Sequence, residues 1–414
     1  MINGNQQSAI SNQQFGLYVH VPFCSAICNY CNFNRGLFEA GLKARYVEAL
    51  IAEIRQPPIN HPINHPINQS TILNKSAISN QQSAIAGVRP AADTIYFGGG
   101  TPSLLEPDEI ARIIRACDDA FDVSADPEVT MEANPESVSE ARLAAYRAAG
   151  VNRLSFGVQS FRDEELRRLS RLHSADRARL ALGEARDAGF DNVSLDLMMW
   201  LPQQSVSEWL ESIDAAVALA PDHLSLYLLE VYPNAPLKDE MARAQWSQAP
   251  DEDAAAMYVE AMERLEAAGL AQYEISNVAR AGRRSRHNLK YWSDGEWLGF
   301  GCGAHSTRGG VRWKNTSSTT EYIETIACGA SAAVDVRRMT RDEQLGDALF
   351  TGLRLSEGID VDGVAERYGV DVWQRFGAGL QPFLDAGWLC RDRSRLWLTR
   401  QGMLLAHEVM SIFV

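Results

Sequence analysis

GLYVHVPFCSAICNYC, residues 16–31, decides what kind of fold this chain makes. The first half is rich in Val, Leu, Tyr and Phe and reads as a β-strand. The second half sets Cys24, Cys28 and Cys31 in a CxxxCxxC spacing directly after that strand. Three thiolates within eight residues can wrap one small inorganic core, because soft sulfur suits iron–sulfur clusters and zinc. Structural zinc takes four ligands, and no fourth cysteine joins the triplet. A [4Fe–4S] cubane held by three cysteines keeps one iron open, so the triplet points to a cluster with a free site.

Further β-rich runs follow at 93–100 (DTIYFGGG), 128–135 (EVTMEANP), 153–160 (RLSFGVQS), 192–202 (NVSLDLMMWLP) and 223–233 (HLSLYLLEVYP). A helical period succeeds each one. After the first strand, Tyr46, Leu50 and Ile54 recur at four-residue steps; after the second, Ile110, Ile113, Ile114 and Cys117 share one face, and Pro107 is placed to open that helix. Alternating strand and helix implies parallel pairing through right-handed crossovers. The fold class expected is α/β, a partial (β/α)6 TIM-like barrel over residues 16–335. From 336 to 414 the pattern changes to helices near 340–354, 360–368 and 371–386, a hairpin at 388–399 turning at Asp392–Ser394, and a last helix capped by Thr399. That order reads as a winged-helix-like domain.

Bulk properties remove several function classes. The chain has 39 basic and 53 acidic side chains, a net charge of −14, so a phosphate backbone is repelled and nucleic acid is not expected as a partner. No apolar run approaches the roughly 18 residues that cross a bilayer, and MINGNQQSAISNQQ lacks the basic and apolar regions of a signal peptide. A cytoplasmic protein is expected, with membrane contact at most peripheral. Seven cysteines, an odd number with three bunched, argue against a disulfide framework. Cys117, Cys302, Cys328 and Cys390 read as small buried residues. Residues 57–87 carry three Pro-Ile-Asn units, and SAISNQQ at 76–82 repeats 8–14; this reads as a mobile insertion, and 1–15 as a flexible N-terminus.

The site candidates lie at strand ends. Gly98-Gly99-Gly100-Thr101-Pro102 closes the second run, where small residues leave backbone N–H groups free to grip a ligand. Glu132, Gln159 and Asp196 stand at or near the C-terminal ends of later strands, the face that carries chemistry in such barrels.

With these residues the chain resembles the HemN-like radical S-adenosylmethionine (SAM) group over roughly 16–414, apart from the insertion. The resemblance is carried by YVHVPFCSAICNYC (18–31), YFGGGTPS (96–103), MEANPES (131–137), RLSFGVQSF (153–161) and SLDLMMWLP (194–202). It implies SAM on the open iron, with Tyr18 and Tyr30 contacting it. Gly99, Gly100, Thr101, Glu132, Gln159, Arg171 and Asp196 would line the cofactor site, with backbone help near Glu230. Where the family has Gly-Leu-Pro-Gly-Gln, this chain has Trp200-Leu201-Pro202-Gln203-Gln204, so that turn must form without its glycines.

Two branches of the group compete. The oxygen-independent coproporphyrinogen oxidases carry a further cysteine two places after the third, where this chain has Phe33, and a longer segment before the cluster. The heme-chaperone branch carries His-Asn-x-x-Tyr-Trp, intact here at 287–292 and followed by GEWLGFGCGAHS (295–306). The resemblance therefore implies a protein that binds heme, with His287 as axial ligand, and delivers it to apo-heme proteins of the respiratory chain. It also implies an electron donor for the cluster. The alternative is SAM-dependent oxidative decarboxylation of a porphyrin precursor. His20 and His305 are given structural roles beside a strand end and a glycine turn.

Overall fold

The computed structural model describes residues 14–57 and 89–414. The insertion expected at 57–87 lies outside them except for Pro57, as does the N-terminus up to residue 13.

Each β-rich run becomes a strand. β1 (Phe15–Val21) leads through β2 (Phe23–Cys24) and β3 (Gly36–Leu37) to α1 (Ala40–Arg55). β4 (Ala91–Gly99) is followed by α2 (Pro107–Ala120), β5 (Asp122–Ala133) by α3 (Glu140–Ala148), and β6 (Arg153–Gln159) by α4 (Asp163–Arg168) and α5 (Ala175–Asp187). β7 (Val193–Met199) precedes α6 (Val206–Ala218); β8 (His223–Leu228) precedes α7 (Pro236–Ala244) and α8 (Asp251–Ala267). β1 and β4 to β8 pair in chain order, all parallel.

Strict alternation along these strands divides them between two environments. Leu17, Val19, Ile95, Phe97, Val129, Met131, Leu154, Phe156, Leu195 and Leu224 join the hydrophobic core with the helices. The intervening positions are polar and hydrogen-bond to one another: Tyr96 to Glu132, Ser155 to Asp196, Ser194 to His223. The barrel interior is therefore a polar lumen. On the apolar side α2 shows how local sequence and packing agree: Pro107 occupies its first turn, Glu106 and Glu109 form a capping box, and Ile110, Ile113 and Cys117 are fully buried.

The chain then extends the sheet at both edges. β9 (Ala271–Glu274) and β10 (Asn277–Ala279) add to β8 antiparallel. After α9 (Arg286–Trp292), β11 (Trp297–Phe300) pairs parallel to β1, and β12 (His305–Arg308), β13 (Val311–Asn315) and, beyond α10 (Thr319–Ala327), β14 (Ala333–Arg338) follow antiparallel. The sheet ends at β14 on one side and β9 on the other, so the barrel is open. These six strands, three to six residues each, were not anticipated because they are too short to show a sustained period.

The C-terminal elements are α11 (Arg341–Gly352), β15 (Ile359–Asp360), α12 (Val361–Tyr368), α13 (Val372–Asp385), β16 (Leu389–Arg391), β17 (Arg395–Leu398), α14 (Arg400–Leu404) and α15 (Ala406–Met410). Thr399 caps α14 as expected, and β15 adds a third strand to the hairpin. No helix among the described residues is long and apolar enough to cross a membrane.

Candidate functional site

The cysteine loop is tied at its base. Cys24 pairs with Leu37 across β2 and β3, Gly36 N–H donates to Pro22 O at 2.7 Å, and Phe38 N–H donates to Cys24 O at 2.9 Å. Within the loop, Cys31 N–H donates to Cys28 O at 3.2 Å, a turn that places the second and third thiols together. Buried Asn29 anchors the turn from behind, donating to Arg168 O at 2.8 Å and the Glu240 carboxylate at 2.6 Å. Burial pushes the Cys24 and Cys31 thiols up from their ordinary range, and neighbouring thiols add to it. Among the described residues no three metal-ligating side chains converge on one point. A cubane binds its thiolates on separate irons and does not require that convergence. Three thiols on one closed loop therefore fit a cluster better than a single ion.

The glycine loop after β4 packs against this one so closely that only glycine fits. A Cβ on Gly100 would lie 2.7 Å from Phe23 O and 3.0 Å from Cys24 Sγ; Gly99 has φ +114°, and its Cβ would lie 2.5 Å from His20. Thr101 is buried beside Cys24 and accepts from Asn134 Nδ2 at 3.2 Å. Asn134 in turn accepts from Arg171 Nη2 at 2.8 Å, and Arg171 donates to Gly157 O at 2.7 Å and to Cys28 Sγ at 3.4 Å. One connected wall thus joins the cysteine loop to the ends of β4, β5 and β6.

Glu132 faces the lumen from β5. It accepts from Tyr96 OH at 2.8 Å and from Gly99 N–H at 3.1 Å. Burial and the Asp196 carboxylate push it up to about 7. Asp196 accepts from Ser155 at 3.1 Å; burial raises it, while Ser225 and Ser155 oppose the shift. The charge of Arg153, buried on β6, opposes both shifts from a distance. Its Nε has no hydrogen-bond partner among the described residues. Gln159 ends β6 at φ +68°, beside a register shift that turns the strand end into the mouth.

Tyr18 donates to His20 Nδ1 at 3.1 Å and stacks on Tyr96. The carbonyl of Asn34 can only accept, so His20 Nε2 carries the proton in their 2.8 Å bond. Tyr30 lies beside Cys28 and Arg171 and packs on a small cluster with Leu169, Met198 and Leu237. Asp196 sits in mid-strand, three residues before the end of β7, deeper than the strand-end position expected. Cys117 and Cys302 are buried as expected, but Cys328 is exposed at the end of α10.

His287 lies elsewhere. It enters the lumen from α9 near Gly16 and Thr94, toward the N-terminal ends of β1 and β4, and is 1% exposed. Nδ1 bonds Thr94 Oγ1 and Nε2 bonds Tyr291 OH, both at 2.8 Å, and burial pushes its pKa down to about 3. Neither ring nitrogen is free to ligate iron in this arrangement.

Tyr96, Asn134 and Arg153 were not singled out in the sequence. A readable signal existed: EVTMEA (128–133) alternates strictly, and the same alternation marks the lumen positions of β4 and β6.

A model of the radical SAM superfamily matches residues 18–216, and one of the HemN C-terminal domain matches 339–405. The chain is 35% identical to the heme chaperone HemW of Bacillus subtilis over 96% of this chain and 98% of that one. It is 37% identical to the heme chaperone HemW of Mycobacterium tuberculosis over 96% and 94%. It is 35% identical to the mitochondrial radical S-adenosyl methionine domain-containing protein 1 of Bos taurus over 98% and 89%. Among solved structures, the coproporphyrinogen III oxidase HemN of Escherichia coli superposes with a TM-score of 0.80 over 98% of this chain and 91% of that one; at 22% identity this concerns the fold alone. Radical SAM proteins are built around a [4Fe–4S] cluster and SAM, and the loop and cradle described above fit both. The chain belongs to the HemW family of the radical SAM superfamily.

Proposed function

We propose that this protein is a heme chaperone, holding heme at the open mouth of the barrel and passing it to apo-heme proteins, those of the respiratory chain included. The observation that carries the reading is where exposed apolar surface collects. Among the described residues, the exposed large apolar side chains include Ile27, Phe33, Leu37 and Phe38 from the cysteine loop, Leu172 beside Arg171, and Tyr227, Leu228 and Tyr232 at the end of β8. Only Leu180 and Val414 of that set lie off the mouth. A rim of this kind is the signature of a binding surface, and it suits a flat, largely apolar macrocycle. The names of the relatives point the same way.

In this reading Cys24, Cys28 and Cys31 hold the cluster, and Gly99, Gly100, Thr101, Glu132, Gln159, Arg171, Asp196, Tyr18 and Tyr30 hold SAM. When bound, cluster and SAM supply one-electron reductive chemistry, which calls for an electron donor. The protein's own residues orient the cofactor. Gly99 and Gly100 let the glycine loop pack directly on the cysteine loop with no side chain in the way, Glu132 offers a carboxylate to a cation or ribose hydroxyl, and Arg171 braces the cysteine loop. Residues 16–335 act as the barrel unit and 336–414 as a winged-helix-like module that contacts protein.

Phe33, 68% exposed, stands where coproporphyrinogen oxidases carry their extra cysteine, so decarboxylation is not expected. The test is a paired assay on anaerobically reconstituted protein. Heme-loaded protein should transfer its heme to an apo-cytochrome, and the same preparation with reductant and SAM should leave coproporphyrinogen unchanged. Turnover of coproporphyrinogen without transfer would replace this reading by the oxidase.

A further inference from the structure

The HNLKYW segment closes the floor of the barrel, and its contacts lead to the cofactor wall. Glu128 on β5 accepts from the backbone N–H groups of Arg286 at 2.9 Å and His287 at 3.0 Å, which fixes the start of α9 on the strands. Lys290 pairs with Asp93 at 2.6 Å and pins the other end of the turn. His287 then has little freedom. A Cβ on Gly16 would sit 3.0 Å from its Cε1, its nitrogens hold Thr94 and Tyr291, and its ring stacks on Tyr96 at 5.1 Å. Tyr96 is the residue that donates to Glu132, whose other oxygen receives the Gly99 N–H.

We propose that His287 is a positioning residue of the SAM site, setting Tyr96 and through it the Glu132 carboxylate, and is not an axial ligand of heme. The ring face on Tyr96 and the two hydroxyl partners define one orientation of the imidazole. That orientation covers one face of the Tyr96 ring and leaves its hydroxyl aimed at Glu132. Axial ligation needs an accessible nitrogen lone pair at an iron, and this ring offers neither. Removing the imidazole would free Tyr96 to rotate and leave Glu132 with one donor fewer.

The inference rests on Glu132 being a SAM residue, and the experiment separates the two claims. SAM affinity and the heme Soret band are measured on reconstituted protein for His287→Ala, His287→Phe, Tyr96→Phe and Glu132→Gln, with iron content as the control for folding. His287→Ala should weaken SAM binding about tenfold, His287→Phe should recover most of it by restoring the stack, and the Soret band should be unchanged in both. Tyr96→Phe should weaken binding comparably and would carry the test if His287→Ala failed to fold. A double variant of His287→Ala and Glu132→Gln should bind no worse than Glu132→Gln alone, whereas a merely structural histidine would give additive losses. Loss of the Soret shift in both His287 variants with SAM affinity intact would overturn the proposal. If Glu132→Gln itself left SAM affinity unchanged, the assignment of the site would be what had failed.

Discussion

Arg171 crosses the mouth of the barrel to reach Cys28, Nη1 standing 3.4 Å from Sγ although 143 residues separate them in sequence. The same guanidinium holds Gly157 O and Asn134, so one side chain ties the cysteine loop to two strand ends. Hydrogen bonds from a charged donor contribute about 1.5–3 kcal/mol each. Arg171→Met should therefore speed loss of the cluster to a chelator several-fold and lower Tm, and Arg171→Lys should restore little, since a point charge cannot make the three contacts. Iron content against time in chelator measures this.

The cysteines make a sharper division. Alanine at Cys24, Cys28 or Cys31 should abolish reconstitution to about four irons per chain, while alanine at Cys117, Cys302, Cys328 or Cys390 should leave it intact. Iron and sulfide analysis decides it, and a requirement for any of the last four would remove the three-cysteine site.

The turn after β7 shows how a sequence can depart from its family without losing the backbone. Trp200 and Gln203 replace the family's glycines and keep left-handed φ values of 61° and 60°. The segment after α7 straps them in place: Trp200 Nε1 donates to Ala249 O at 2.8 Å, Gln248 donates to Trp200 O at 2.9 Å, and Gln203 N–H donates to Ser247 O at 2.9 Å. A left-handed non-glycine residue costs about 1 kcal/mol. Gln203→Gly should thus stabilise by about 0.5–1 kcal/mol in chemical denaturation. Trp200→Gly should destabilise instead, because it also removes the indole's bond and packing.

Glu132 gives the site a pH dependence near neutrality. Its pKa is pushed up to about 7, so the ionised fraction rises from about a tenth at pH 6 to about nine tenths at pH 8. If Glu132 contacts SAM as proposed, the ionised form is the one suited to a cation or ribose hydroxyl, and SAM should bind more tightly as pH rises, by up to about tenfold over that interval. Calorimetric titration should show the slope in the native protein and its loss in Glu132→Gln. A flat native profile would mean that Glu132 does not contact SAM.

Much of this was legible in advance, for identifiable reasons. The strands β1 and β4 to β8 announce themselves because buried strands need unbroken apolar faces. The cysteine and glycine loops announce themselves because their chemistry fixes both residue type and spacing. β9 to β14 stayed hidden: AQYE and HSTR carry no apolar run, and pairing with strands already formed shapes them. The surroundings of His287 could not be read in the sequence, because Thr94, Tyr96 and Glu128 come from strands about 160–190 residues earlier in the chain, and only docking of α9 brings them together.

Heme carriage at the barrel mouth is read out by heme titration of reconstituted protein followed at the Soret band. A saturable shift at about one heme per chain is expected, weakened at least several-fold by Phe33→Asp and by Leu37→Asp, two exposed positions where a charge leaves the core untouched. A titration that never saturates, or one that saturates identically in both variants, would contradict it.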